Sequence, residues 1–445
     1  MDLKKEIKLS DLLPKKKKKK TPAAEADTEV TPEQSKPKRK DGPKTPLFKK
    51  EFSFKRKPKA KRALDEADAP DKKAKKQRRG RGSRAGGGGQ KRSKRLVGLK
   101  IGASQIAAAR VVNNGSPELV QVAREDIDHG LIVGGELREP ELLADALRAF
   151  FKKHGLPRQG VRLGIANNRI GVRIFEIAGI NDPRQLENAV RFRAQEVLPI
   201  PIEEAVLDYH VLGERADDEG NSVMRILLVV AYRELIDRYV AACKKAGLRL
   251  SGIDLEAFAL LRALAEPRTE DEGAADAAIV VVAIGHDRST FAVSDGRVCE
   301  FTRVLEWGGG TLDVAIAREL DVAPSEAEPV KRELTLTGDS VPEGLAPEKA
   351  VAVREAVHRQ LQTFARELVS SLQFYQNQPG SLGIGEIVIT GGTAHLAGLA
   401  EELQKLIGVR VTVGDPLSRV KLGRKVRDTE QLGSLAVAIG LGIED

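Results

Sequence analysis

The sequence LVGLKIGAS at residues 96–104 returns in altered form as IVVVAIGHDRST at residues 279–290. Each copy has an apolar run, an Ile-Gly step and a short polar turn. A second apolar run follows the turn, QIAAARVV in the first copy and TFAVS in the second. Apolar runs bounded by a glycine turn predict β-hairpins. Two such hairpins predict two related halves that face each other across a cleft.

The charge of the chain changes sign near residue 95. Residues 1–95 carry 34 Lys and Arg residues against 13 Asp and Glu residues, whereas residues 96–445 carry 40 against 51. The first segment has too little apolar surface to offset the entropy of ordering, which predicts a disordered basic tail. The remainder is long enough for two lobes, which we place at 96–270 and 277–445.

Composition also bounds the compartment. Cys243 and Cys299 are the two cysteines of the chain, so no disulfide framework is expected and a reducing compartment is indicated. The apolar runs are shorter than the about 20 residues that a spanning helix requires. The basic N-terminus lacks the apolar core of a signal peptide. The sequence therefore predicts a cytoplasmic protein.

The hydrophobic pattern after residue 96 alternates between strand and helix periods, which predicts an α/β fold. Strand, helix and strand patterns at about 172–212 predict a small inserted subdomain in the first lobe. An apolar strand at 224–231 is expected to return to the main sheet. The second lobe is expected to repeat the hairpin-based core of the first.

Three glycine-marked turns follow apolar strands: Gly102, Gly285, and the pair Gly391 and Gly392. Each one alone is most simply a turn. Together they predict two hairpins that hold phosphates from opposite sides, because a turn without a Cβ lets backbone N–H groups approach an anion closely. The third turn is expected to open a helix N-terminus beside the nucleoside.

The chain contains the stretches VGLKIGAS, EVLPIPIEEAVLDYHVLG, AGLRLSGIDLEAFALLRAL, CEFTRVLEWGGGTLDVAIARELDV, EIVITGGTAHLAGLAEELQKLIG and SLAVAIGLG. These stretches resemble the actin-like ATPase superfamily and, within it, the PilM family of cytoplasmic type IV pilus assembly proteins. The resemblance implies an actin-like (ribonuclease H-like) two-lobed fold with a duplicated core and ATP in the cleft. It also implies a groove for the N-terminal peptide of a PilN-like membrane protein, with a pilus motor ATPase and a second copy of the chain as further partners.

The resemblance also implies site residues. Its first phosphate loop would be Gly102, Ala103 and Ser104, and its second would be Gly285 with Ser289 or Thr290. Glu328 and Lys331 fall where the superfamily places adenine or ribose contacts, although a solvated helix face explains them equally well. The residues expected near the nucleotide and adenosine are Gly309, Gly310, Gly391, Gly392 and Thr393.

The sequence departs from the superfamily at two positions. An acidic residue that holds Mg²⁺ commonly precedes each Ile-Gly step, but Lys100 and Ala283 stand there. Lysine and alanine cannot ligate Mg²⁺. Lys100 either offsets phosphate charge as a metal-independent clamp or points to solvent. Asp287 and Asp313 remain possible metal ligands, but their positions do not match the usual ones. We therefore expect no catalytic residue and no metal site here: ATP binding without efficient hydrolysis, with the need for Mg²⁺ left open.

The tail holds a second pattern. The segment EIKLSDLLP at 6–14 resembles the apolar-Asn-Leu-Leu-Pro peptide by which PilN proteins bind PilM, with Asp11 in place of Asn. It is either a docking peptide for the groove of its own or a neighbouring lobe, or a chance apolar island. The basic residues around it fit anionic lipid, nucleic acid or the acidic lobes. Lipid is favoured, which predicts a location peripheral to the inner face of the cell membrane.

Three alternatives remain beside a nucleotide-binding scaffold. An active ATPase requires the acidic residues that positions 100 and 283 lack. A cell-division filament protein similar to FtsA usually ends in an amphipathic membrane helix, whereas this sequence reads GLGIED after its last predicted core helix. A sugar kinase requires a catalytic Asp after the first hairpin, and none stands there.

Overall fold

The computed structural model describes residues 94–444 apart from 129, 181, 198–200, 217–221, 269–274, 339, 425 and 427–431. The docking peptide predicted at 6–14 and nearly all of the predicted tail lie outside these residues. The strands within the described residues are β1 (Lys94–Ile101), β2 (Gln105–Asn114), β3 (Ser116–Asp126), β4 (Ile132–Val133), β5 (Glu136–Leu137), β6 (Gln159–Ile165), β7 (Gly171–Ala178), β8 (Ala205–Ala216), β9 (Ser222–Tyr232), β10 (Arg249–Leu255), β11 (Ala278–Ile284), β12 (Ser289–Ser294), β13 (Cys299–Leu305), β14 (Ile384–Thr390), β15 (Arg410–Val413) and β16 (Lys421–Leu422). The α-helices are α1 (Pro140–Lys153), α2 (Pro183–Val197), α3 (Arg233–Lys245), α4 (Glu256–Leu264), α5 (Gly309–Leu320), α6 (Pro324–Glu333), α7 (Pro347–Gln376), α8 (Leu399–Ile407) and α9 (Ala436–Gly442).

Local sequence explains where these helices begin and which face they bury. Pro140 stands in the first turn of α1, where its missing N–H and fixed φ cost nothing, and Leu143, Leu147 and Phe150 line its buried face. Pro347 starts α7 in the same way. Helices of this kind are stabilised mainly by packing of one apolar face.

Two sheets repeat one strand order, which confirms the predicted duplicated fold. The first sheet runs β10-β6-β1-β2-β3-β16, and the second runs β15-β14-β11-β12-β13. In both, an antiparallel hairpin pairs through its first strand with a parallel strand. The registers also correspond, because Lys100 lies opposite Ala107 and Gly164, while Ala283 lies opposite Thr290 and Thr390.

The small sheet of the first lobe differs from the sequence expectation. Its order is β7-β9-β8, with β9 in the centre, and α2 covers one face through Leu186, Val190 and Ala194. The strand expected at 224–231 therefore belongs to this sheet and does not return to the main one. An apolar strand such as β9 is buried in either position, so its hydrophobic pattern does not identify its sheet.

The two lobes exchange elements near the end of the chain. Strand β16 pairs with β3 of the first sheet, and α9 packs on β1, β2 and β6. In return, α4 packs on β11, β12 and β13 of the second sheet. The C-terminal part of the range expected to form the second lobe thus lies on the first.

Glycine makes the contact between α4 and α9 close. A Cβ added at Gly440 of α9 would overlap the carbonyl oxygen of Ala259 in α4. The contact between α9 and β1 is also close, because a Cβ added at Gly98 of β1 would overlap the carbonyl oxygen of Ala438. Short 3-10 helices precede two of the helices, one at Gly392–His395 before α8 and one at Leu432–Leu435 before α9. The first of them stands where the sequence predicted a helix N-terminus. Among the described residues, no helix is both long and apolar enough to cross a membrane.

Candidate functional site

A cleft of about 910 Å³ lies between the two hairpins. The structure brings nearly all of the residues expected from the sequence to its walls; whether they bind a nucleotide stays a prediction. Ser289 is the exception, because it is fully buried and its hydroxyl donates to the Trp307 carbonyl at 2.7 Å. The expected residues that line the cleft are Lys100, Gly102, Ala103, Ser104, Gly285, Thr290, Gly309, Gly310, Glu328, Lys331, Gly391, Gly392 and Thr393.

The same backbone bond closes both hairpin turns. The Gly102 amide donates to the Gln105 carbonyl at 2.8 Å, and the Gly285 amide donates to the Arg288 carbonyl at 3.0 Å. A Cβ at Gly285 would lie 2.9 Å from that carbonyl oxygen, so the tight turn requires glycine. Because the glycine amide of each turn already donates to the carbonyl that closes the turn, an anion in the cleft would accept hydrogen bonds from the amides that follow it, such as the amide of Ala103.

The glycines that start α5 serve packing. The amides of Gly309 and Gly310 donate to the carbonyls of Gly285 and His286, both at 2.8 Å. A Cβ at Gly309 would overlap the Thr393 hydroxyl. This helix N-terminus is therefore capped by the second hairpin, and its first amides are already used. The two glycines lie at the cleft, as expected, without offering these N–H groups to a ligand.

The third glycine turn also touches the second hairpin. Gly391 has φ of 95°, in the left-handed region that favours glycine, and a Cβ there would overlap the Ile284 carbonyl oxygen. The Thr393 hydroxyl donates to the Gly285 carbonyl at 3.4 Å. One wall of the cleft is thus formed by the second hairpin turn, the start of α5 and the turn at Gly391, which are distant in sequence.

Lys331 forms a buried ion pair with Asp313. Its Nζ lies 2.7 Å from Oδ1 and 2.8 Å from Oδ2, and it also donates to the Gly309 carbonyl at 3.2 Å. The Asp313 side chain is 4% exposed, and His286 Nδ1 lies 4.0 Å from its Oδ2. Lys331 therefore lines the cleft with its ammonium group already paired with Asp313, and this ammonium group neutralises the negative charge of the Asp313 carboxylate.

Lys100 faces a second buried carboxylate. Its Nζ lies 3.5 Å from Oε2 of Glu256, the first residue of α4, and the two side chains are 21% and 8% exposed. Lys100 thus lies in the cleft beside the first turn, with Glu256 as its partner. Of the two alternatives that the sequence left open, this position favours a cation in the cleft, and its contact with a phosphate stays a prediction. Glu256 could not be assigned to this site from sequence, because only the tertiary fold brings the start of α4 next to Lys100.

Other charges line the cleft from α6 and from the second turn. Burial raises the pKa of Glu328, but a hydrogen bond from Arg332 at 2.6 Å and nearby positive charges outweigh this and lower the pKa overall. Arg288 donates to Asp287 at 2.9 Å. Within the described residues, no group of three His, Cys, Asp or Glu side chains is placed to hold a metal ion. Asp287 and Asp313 are thus not joined in such a group.

The duplicated sheets and the cleft between their hairpins define a protein of the actin-like ATPase superfamily. A solved structure described as the PilM–PilN type IV pilus biogenesis complex is similar, with a TM-score of 0.64 and 27% identity over 78% of this chain and 97% of that chain. The family model of the type IV pilus assembly protein PilM matches residues 98–445. The chain therefore belongs to the PilM family, as the resemblance predicted.

The chain is also similar to cell division proteins. It is 27% identical to FtsA of Escherichia coli (strain K12) over 236 residues, 49% of this chain and 54% of that protein. It is 23% identical to FtsA of Bacillus subtilis (strain 168) over 297 residues, 59% of this chain and 64% of that protein. The chain thus spans about half of the Escherichia coli relative, so the activity of that protein is not transferred here.

Proposed function

We propose that this protein is a scaffold of type IV pilus assembly that binds ATP in the cleft and the N-terminal peptide of a PilN-like membrane protein on its surface. The observation that supports ATP binding most directly is the cleft itself. Its volume of about 910 Å³ falls within the range of small-molecule sites, about 300–1,000 Å³. Two hairpin turns with the same closing bond line it on opposite sides.

The residues at hand fit a nucleotide. We infer that the amides of Ala103 and Ser104, which do not close the turn, donate to phosphate oxygens, and that Lys100 supplies a cation beside the same turn. The turn at Gly391 and the side chain of Glu328 line the same cleft, and we propose that they hold the nucleoside. A bound nucleotide would add negative charge between the lobes, and its occupancy would bias how far the two halves close.

We propose further that hydrolysis is inefficient. Efficient phosphoryl transfer depends on metal ions and on a group that orients the attacking water. Lys100 and Ala283 occupy the two positions where the superfamily places acidic residues. The buried carboxylates of the cleft, Glu256 and Asp313, each face a lysine. An active ATPase is the competing function, and phosphate release distinguishes the two.

Calorimetry of the full chain with ATP tests the nucleotide proposal. We expect binding both with Mg²⁺ and with EDTA, and no steady release of phosphate. Gly285→Val is expected to abolish binding, because its side chain would be forced against the Arg288 carbonyl. Gly213→Val, at a glycine with open space outside the cleft, is the matched control. ATP binding that is unchanged in Gly285→Val would contradict the proposal.

Partner binding is tested with a fluorescent peptide that carries an apolar-Asn-Leu-Leu-Pro segment. We expect saturable binding by the full chain, and tighter binding once residues 1–14 are deleted, since the segment at 6–14 would no longer compete. Unchanged affinity and unchanged oligomeric state after the deletion would remove the docking proposal for this segment. It would leave PilN-like binding intact.

Membrane contact through the basic tail is a separate part of the proposal. Polybasic segments gain about 1 kcal/mol per Lys or Arg near an anionic surface, and the first 95 residues carry a net charge of +21. Co-sedimentation with anionic vesicles should therefore be strong at low salt and fade as salt is added. Equal binding to neutral vesicles would contradict it. A pilus motor ATPase and a second copy of the chain remain proposed partners.

A further inference from the structure

Arg288 reaches from the second lobe to the first across the cleft. It is the last residue of the turn that begins at Gly285, and its carbonyl closes that turn. Its guanidinium lies directly over the Cα of Gly135, because a Cβ added there would overlap Nη1. The side chain is 16% exposed. One arginine thus connects the second hairpin with the β4–β5 turn of the first lobe.

Hydrogen bonds hold the turn of the first lobe on which this guanidinium lies. Gly134 and Gly135 form a two-residue turn with positive φ at both positions, a geometry that matches the twist of a hairpin. The side-chain amide of the buried Asn167 donates to the Gly134 carbonyl at 3.1 Å. The Tyr239 hydroxyl donates to the Gly135 carbonyl at 3.4 Å. Burial raises the pKa of Tyr239 and the positive charge of Arg288 opposes that rise, which agrees with their proximity.

The guanidinium has hydrogen-bonding capacity to spare. Arginine carries five N–H donors, and in the described part of the chain they reach one acceptor, Asp287 Oδ2 at 2.9 Å. Asp287 is 42% exposed, so water competes for it. Arg288 lines the same cleft as the Gly102 turn. A planar, permanently charged fork of donors is well suited to phosphate oxygens.

We propose that Arg288 binds the phosphates of a nucleotide in the cleft while its guanidinium remains seated on Gly135, so that occupancy ties the second hairpin to the first lobe. This inference rests on the proposed binding of ATP. It adds the residue that recognises the phosphates and transmits occupancy between the lobes. Nothing in the sequence pattern of the turn distinguished this arginine from a solvated one.

Titration of the full chain with ATP, ADP and adenosine tests the inference. Loss of a charge-assisted hydrogen bond predicts that Arg288→Ala weakens ATP and ADP binding about 10- to 100-fold and leaves adenosine binding unchanged. Arg288→Lys should recover part of the loss. Arg318→Ala removes an exposed arginine of the same lobe outside this cleft and should bind ATP normally.

Hydrogen exchange gives a second readout. ATP should slow exchange of the amides at 132–137 in the wild-type chain and should fail to do so in Arg288→Ala. Wild-type ATP affinity in Arg288→Ala, or equal loss for ATP and adenosine, would overturn the role of Arg288 while ATP binding stands. A wild-type chain that binds no ATP would instead overturn the proposed function, and this inference with it.

Discussion

At the scale of single residues, the cleft is notable for carboxylates that are buried and paired. Asp313 and Glu256 are each less than 10% exposed and each faces a lysine, Lys331 and Lys100. Removing one partner of a buried pair leaves an uncompensated charge, whereas removing both is often close to neutral. We therefore expect Lys331 to stabilise the folded site in addition to any contact that it makes with a ligand.

The pair at Asp313 gives the first prediction. Lys331→Met should lower the free energy of unfolding by about 3 kcal/mol, because Asp313 is left buried and charged. The double variant Asp313→Asn, Lys331→Met should recover most of that loss. Arg332→Met, which removes the exposed pair with Glu328, should cost less than about 1 kcal/mol. Urea unfolding measures all three, and equal effects of Lys331→Met and Arg332→Met would contradict the assignment of a buried pair.

At the scale of elements, helices α4 and α9 connect the lobes through exchanged packing. Each helix lies on the sheet of the other lobe, and the backbones meet at Gly440 and Ala259. In an isolated helix, alanine would be favoured over glycine by about 1 kcal/mol. The close approach in this structure reverses that preference, since a methyl group has no room.

The second prediction follows from this contact. Gly440→Ala should destabilise the protein by about 2 kcal/mol or more, because overpacking forces the helices apart. Gly252→Ala is the control, at a glycine with open space around its Cα and no left-handed φ, and it should change stability by less than about 1 kcal/mol. Stabilisation by Gly440→Ala would show that the helices are not in contact at this point.

At the scale of the whole molecule, the exchanged helices predict that both lobes unfold together. Trp307, the single tryptophan, is buried in the second lobe against Phe364 with ring centroids 4.1 Å apart. Cys243 is fully buried in the first lobe, and burial raises the pKa of its thiol to about 12. Both groups change environment only when their own lobe opens.

The third prediction uses these two probes in Cys299→Ser, which leaves Cys243 as the single thiol. Tryptophan fluorescence and reaction of the thiol with a chromogenic disulfide should give the same urea midpoint, as cooperative unfolding requires. Separate midpoints would mean that the lobes unfold independently and that the exchanged packing contributes little.

Ligand linkage gives a fourth prediction. At an ATP concentration 100 times the dissociation constant, the free energy of unfolding should rise by about 2.7 kcal/mol. EDTA should leave this gain in place, because Lys100 stands where a metal ligand is expected. Stabilisation that appears only with Mg²⁺ would contradict metal-independent binding.

The repeated hairpin allowed the fold class to be predicted from sequence, since glycine after an apolar strand specifies a local turn. Long-range placement could not be predicted. The hydrophobic pattern of β9 predicts that the strand is buried but does not identify the sheet to which it belongs. In the sequence, Glu256 is recognisable only as the first residue of a helix, and its position beside Lys100 depends on the tertiary fold. The sequence left Lys331 as either a nucleoside contact or part of a solvated helix face, and its buried pairing with Asp313 follows only once α5 and α6 pack together. Arg288 is distinguished from a surface arginine by its contact with Gly135, which lies 153 positions earlier in the chain.

A crystal structure of the full chain with ATP tests the central claim most directly. The account predicts that the phosphates lie between the turns at 102–105 and 285–288, within hydrogen-bonding distance of the Ala103 or Ser104 amide and of the Arg288 guanidinium. A nucleotide bound outside this cleft, or one that contacts a single turn only, would contradict it.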